Sequence, residues 1–166
     1  MKAKFILLLT IVIFSSVWSF AGEHNGNKAL SKVTNVVYKE NCGACHFVYQ
    51  PGLLPARSWL IIMDNPGGHP GGDLSIDNES KAEIKKYLNQ NSAEKSQSKI
   101  SRKILASIGR DVPSRISEVP YISNKHRKIK QEVFLRTSIR SRGNCIACHK
   151  TAERGDYDDD NVTIPK

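Results

Sequence analysis

All four cysteines of this 166-residue chain sit in two short stretches, Cys42-Gly43-Ala44-Cys45-His46 and Cys145-Ile146-Ala147-Cys148-His149. Both read C-x-x-C-H, the attachment pattern of c-type haem. At this spacing two thiols reach the two vinyl groups of one haem, and the histidine that follows lies beneath the iron as proximal ligand. Other uses of paired cysteines fit less well. A redox-active dithiol or a structural disulfide does not require a histidine twice. A zinc site would bring its two C-x-x-C pairs to within ~15–20 residues of each other, whereas these begin at positions 42 and 145. The residues therefore point to two covalently bound haem c groups, held by Cys42 and Cys45 and by Cys145 and Cys148. His46 and His149 are the proximal iron ligands.

Two sixth coordination positions remain. The candidates are His24, His69, His126 and Met63, which apart from the initiator is the only methionine. His69 lies in the glycine- and proline-rich loop from Asn65 to Asp73, a segment with few internal hydrogen bonds that can approach a haem face. His126 shares a helical spacing with Tyr121, Ile122 and Ile129, with lysines and arginine on the other face. His24 follows the N-terminal apolar segment directly, and Met63 closes the apolar run Trp59-Leu60-Ile61-Ile62-Met63, where a core role suits it. His69 and His126 are thus the expected distal ligands, giving bis-His coordination at both irons. Imidazole donates more strongly than thioether, which places such haems low in the c-type potential range.

The elements that must carry these residues are helical. Residues 27–40, with Leu30, Val33, Val37 and Tyr38 on one face, are expected to lead helically into the first motif. Pro55 opens a helix through Asp64, and Asp77 caps one from Asn78 to about Gln90. The polar run 89–98 reads as a linker. Lys99 to Ile108 is a basic amphipathic helix stopped by Gly109. A turn at Asp111–Ser114, a helix bearing His126, a segment from Gln131 to Ile139 and the second motif follow. Residues 151–166 read as an extended tail, and no segment alternates as a strand should.

The N-terminus has a basic head, Met1–Lys4, an apolar run from Phe5 to Val17, and the small residues Ser19 and Ala21 two apart. This is a secretory signal, 1–21, cleaved after Ala21; an uncleaved anchor is the alternative. The division that follows is an N-terminal haem lobe, 22–93, and a C-terminal haem lobe with an acidic tail, 94–166. At 39% hydrophobic residues the chain is not disordered, and its length excludes a large multidomain enzyme. Loss of Lys2 and Lys4 lowers the formal charge from +9 to +7. Residues 95–142 hold thirteen basic groups against Asp111, Glu118 and Glu132, whereas 152–166 is net acidic. With so little apolar core per lobe, the haems are expected to supply much of it.

The stretch Cys42 to Trp59, CGACHFVYQPGLLPARSW, resembles the first haem region of the bacterial dihaem cytochrome c family. Arg142 to His149 and Gly155 to Pro165 resemble it too, so the likeness covers essentially the mature chain. The resemblance implies an all-α fold of two small haem-binding lobes with much irregular loop, the N-terminal lobe similar to mono-haem cytochrome c. It implies two bis-His haems, with His69 and His126 in the distal positions, and a periplasmic or membrane-associated electron-transfer role. The partners it implies are an oxygen-binding mono-haem cytochrome or a b-type membrane cytochrome.

Around these motifs, Tyr49 and Trp59 either pack on the first haem or fill the core, and Arg57 pairs with a haem propionate or forms a surface salt bridge. The expected function is electron transfer by a protein that is not an enzyme, docking acidic redox partners through the basic 95–142 surface. The alternatives are a haem-based gas binder, or a small peroxidase using one displaceable distal ligand. Export disfavours a nucleic-acid partner despite the charge. Membrane contact would come through a partner or an uncleaved signal.

Overall fold

The computed structural model describes residues 29–69, 72 and 75–166. The signal segment and His24 lie outside the described residues, as do four positions of the His69 loop and its flank. Seven α-helices are described: α1 (Val36–Gly43), α2 (Ala56–Asp64), α3 (Asn78–Gln90), α4 (Lys99–Ile108), α5 (Pro120–Lys125), α6 (Gln131–Phe134) and α7 (Cys145–Cys148). Among the described residues there is no β-strand, only a single antiparallel bridge between His149 and Val162.

Helix starts follow side-chain caps. Asn35 accepts the Tyr38 N–H at 2.7 Å, Asp77 the Ser80 N–H at 2.9 Å, and Ser98 the Ser101 N–H at 3.0 Å. Gly109, at φ 53°, stops α4 as expected. Ile84, Leu88, Leu54, Ile104 and Val119 are almost wholly buried in one cluster with Leu30, Tyr38, Trp59 and Met63. α4 therefore packs into the same core as α2 and α3, and the division at 93/94 runs through that core. A second cluster is far smaller: Phe134, Ile139 and Ala147.

Three expectations are corrected. Helix α1 begins at Val36, not Asn27. Leu30 and Val33 are buried, but from a strap whose Leu30 N–H donates to the Gly155 carbonyl at 2.8 Å. Apolar spacing marked the core positions correctly and the backbone wrongly, and Asn35 was the true start signal. The 89–98 run is not a loose linker. Ser92, Ala93 and Ser98 are buried, the Ala93 N–H donates to the Leu54 carbonyl at 2.9 Å, and the Glu94 carboxylate accepts the Ala56 N–H at 3.0 Å at the start of α2. Its polarity comes from a serine-rich packed turn.

Nor is 151–166 an extended tail. Ala152 is fully buried, short 3-10 turns form at Ala152–Arg154 and Asp159–Asn161, and the Thr163 N–H donates to the Cys148 carbonyl at 3.0 Å. Gly155 sits at φ 77°, where a Cβ would stand 2.0 Å from the Leu30 carbonyl oxygen. Only glycine allows that close approach.

Candidate functional site

α1 delivers the first motif: Cys42 lies on its last turn, and His46 follows just beyond. The His46 Nδ1 lies 2.7 Å from the Phe47 carbonyl, which fixes the ring and leaves Nε2 facing inward. Past α2, the 3-10 turn Pro66–Gly68 carries His69 back towards it. The two imidazole centroids stand 5.9 Å apart with planes 13° from parallel. His69 is held below the usual histidine range by burial, then by the neighbouring His46, against the Gly72 backbone.

The second motif is built similarly by a different fold. α7 is the C-x-x-C turn itself, closed by the His149 N–H donating to the Cys145 carbonyl at 2.8 Å. His126 is not inside a helix, as its spacing suggested. It caps α5 at φ −97°, with Nδ1 2.8 Å from the Ile122 carbonyl. The pyrrolidine of Pro120 starts this helix and the chain leaves it after Lys125, so its apolar spacing outran its length. The His126 and His149 centroids are 6.0 Å apart, with planes 71° apart. His149 is lowered by burial and by His126, opposed by Asp159 and Asp156.

These separations test the fit to an iron. A metal–imidazole bond of about 2.0–2.1 Å on each side puts the ligating nitrogens about 4 Å apart and the ring centroids roughly 6 Å apart. Both pairs match. All four thiols are free. Burial pushes Cys42 and Cys145 up to about 11, opposite to the lowered values of redox-active dithiols. One continuous cavity of about 1460 Å³ is lined by both motifs and both histidine pairs. That exceeds the ~300–1,000 Å³ of a single small-molecule site and suits two macrocycles. The residues fit two haems.

The two sites share a wall. Tyr49 lies 5.1 Å from the His46 ring, and its hydroxyl donates to the Gly143 carbonyl at 2.6 Å, two residues before Cys145. Burial pushes Tyr49 up to about 12, so it stays a donor. Trp59 is buried along the cavity with its Nε1–H on the Pro51 carbonyl at 2.7 Å. Arg57 does not reach the cavity: its guanidinium donates to the Gly109 carbonyl at 2.9 Å and the Asp111 carbonyl at 2.8 Å, closing the end of α4. Met63 is buried in the core and also touches the cavity.

Sequence reasoning missed the cavity's cations. Lys99, Lys103, Arg115, Lys125, Arg140 and Arg142 all line it and can meet haem propionates. Their signal was the basic 95–142 run, read there as an outer face. Arg142 also lies over the Phe134 ring at 4.5 Å. Arg140 is the one non-glycine among the described residues with positive φ, 73°, a conformation costing about 1–2 kcal/mol. Tyr157, 5.4 Å from the His149 ring, and the buried Gln50 were missed as well.

A family model for dihaem cytochrome c matches residues 38–157. Among solved structures, a diheme cytochrome c from Rhodobacter sphaeroides is 38% identical, with TM-score 0.66, covering 76% of this chain and 99% of its own. A diheme cytochrome type c from Shewanella baltica OS155 is 32% identical, with TM-score 0.64, covering 79% of this chain and 93% of its own. No curated protein sequence matches.

Proposed function

This chain belongs to the dihaem cytochrome c family and carries two covalently bound haem c groups, and from that premise we propose that it is an exported carrier, not an enzyme, that shuttles single electrons between protein partners. Bound haem supplies a reversible one-electron couple; the chain's part is attachment, ligation and docking. Cys42 and Cys45 hold the first haem, with His46 proximal and His69 distal. Cys145 and Cys148 hold the second, with His149 proximal and His126 distal. The observation that carries this reading is the pair of imidazole separations, 5.9 and 6.0 Å, each the span of one six-coordinate iron. Filled sixth positions leave no iron open to a substrate, and ligation that is the same in both redox states keeps reorganisation small.

The reading extends to place. The mature chain, 22–166, works in the periplasm, with one haem attached in each half, 22–93 and 94–166, and with α4 of the second half packed into the core of the first. Among the described residues no helix is long and apolar enough to cross a membrane. An oxygen-binding mono-haem cytochrome and a b-type membrane cytochrome are the partner types proposed.

Carbon monoxide tests the ligation. The dithionite-reduced protein should show a sharp c-type α band that the gas leaves unchanged. A Soret shift amounting to about one haem would mean a labile distal ligand and would favour a gas binder or peroxidase, with His69 the first residue to examine.

Docking is tested separately. Leu135 is 66% exposed in a run, 128–142, whose Lys128, Lys130, Arg136, Arg140 and Arg142 are all exposed against the single acidic Glu132. Transfer to an acidic redox protein should slow steeply as ionic strength rises in stopped-flow measurements. Rates that ignore salt would assign these charges to solvation alone.

A further inference from the structure

We infer that the two haems are electronically unequal, with the second the more oxidising, so that an electron arriving at the first site moves on to the second. The inference rests on the bis-His reading above. Its first support is the angle between the ligand planes, 13° for His46 and His69 but 71° for His126 and His149.

Low-spin ferric iron has one hole in its lower d orbitals. Nearly parallel imidazoles donate π density into the same d orbital, raise it above its partner, and stabilise the hole there. Nearly perpendicular imidazoles act on both orbitals alike, and that stabilisation is lost. Ferrous iron has these orbitals full and gains nothing either way. Parallel planes therefore favour the ferric state, and the first site is the more reducing.

The outer hydrogen bonds point the same way. An imidazole N–H donating to a carbonyl makes the ring a stronger donor and stabilises ferric iron. In the first site His46 has the Phe47 carbonyl at 2.7 Å and the His69 ring is bonded to the Gly72 backbone. In the second, His126 has the Ile122 carbonyl at 2.8 Å, but the buried His149 Nδ1 has no partner among the described residues. With Nε2 on the iron, as the Nδ1 bonds of His46 and His126 leave it, His149 is the one unassisted ligand. Asp156 and Asp159 lie near His149 and favour ferric iron, but Lys125 pairs with Asp159 and offsets part of that charge, so the plane angle and the missing Nδ1 partner set the order. In the internal step one electron leaves the iron between His46 and His69, which passes from ferrous to ferric. It reduces the iron between His126 and His149 from ferric to ferrous, and no proton need move.

The test is a reductive titration of the oxidised, haem-loaded protein followed by electron paramagnetic resonance. Two low-spin signals of equal intensity are expected: a rhombic one with its principal features resolved, from parallel ligands, and a single low-field feature, from perpendicular ligands. The low-field feature should disappear first, at the higher potential. His69→Ala should abolish the rhombic signal alone and so assign it to the first site. Loss of the rhombic signal first, loss of both together, or two identical signals would overturn the inference. A high-spin signal in the unsubstituted protein would instead show that bis-His ligation, on which it rests, is wrong.

Discussion

Made without its haems, the chain should not reach this fold. With Cys42, Cys45, Cys145 and Cys148 all changed to Ser, the product is expected to lose most of its far-UV helical signal and to be cut rapidly by protease. The reason is the volume the cofactors occupy. A dry void costs about 24 cal/mol per Å³, so 1460 Å³ sets a ceiling of about 35 kcal/mol. An open cavity takes up water and loses only part of that, but a domain's whole stability is only about 5–15 kcal/mol.

The loss should be worst in the C-terminal half, whose own cluster is Phe134, Ile139 and Ala147. There α5, α6 and α7 have six, four and four residues, too short to persist without packing. A substituted chain with native-like circular dichroism and native protease resistance would show that the α2–α3–α4 core suffices and that the haems are guests in a preformed scaffold.

The same imbalance explains what could be read from the sequence. The motif residues were legible because thioether attachment fixes their spacing locally. So were Asp77, Gly109 and the buried faces of α3 and α4, since caps and period act within a turn or two. His69 and His126, the distal ligands proposed, stood out by elimination among few candidates, but not their setting: His126 ends a helix rather than riding in one. What stayed hidden is long-range. The Leu30–Gly155 bond, the Tyr49–Gly143 bond and the seat of Ala152 against Gln50 join residues about a hundred positions apart or more, and nothing local at either end announces them. Arg57 shows the converse error: in a stretch like that of a known family it suggested a propionate, yet its geometry serves the carbonyls ending α4.

Gln50 is the strongest of these hidden polar links, and Gln50→Ala should destabilise the haem-loaded protein markedly. The side chain is 1% exposed. Its Nε2 donates to the Ala152 carbonyl at 2.6 Å, and its Oε1 accepts the Tyr157 hydroxyl at 2.6 Å. Burial drives the Tyr157 hydroxyl far above its usual range, so it remains the donor. Truncation strands two buried groups, each costing about 1–3 kcal/mol, so a loss of about 2–6 kcal/mol is expected in guanidinium unfolding followed at the Soret band.

Tyr157→Phe strands only the Gln50 oxygen and should cost about 1–3 kcal/mol. Because both substitutions delete the same bond, the double variant should lose less than the sum of the two, with a coupling of about 0.5–3 kcal/mol. Strict additivity would show that the two side chains do not act as one unit. Tyr157 packs on the His149 ring at 5.4 Å, and Gln50 follows Tyr49, which packs on His46. The bond thus ties the wall of one iron site to the wall of the other. Cutting it should loosen the second site before the first, because α2, α3 and α4 support the first site and nothing of that size supports the second.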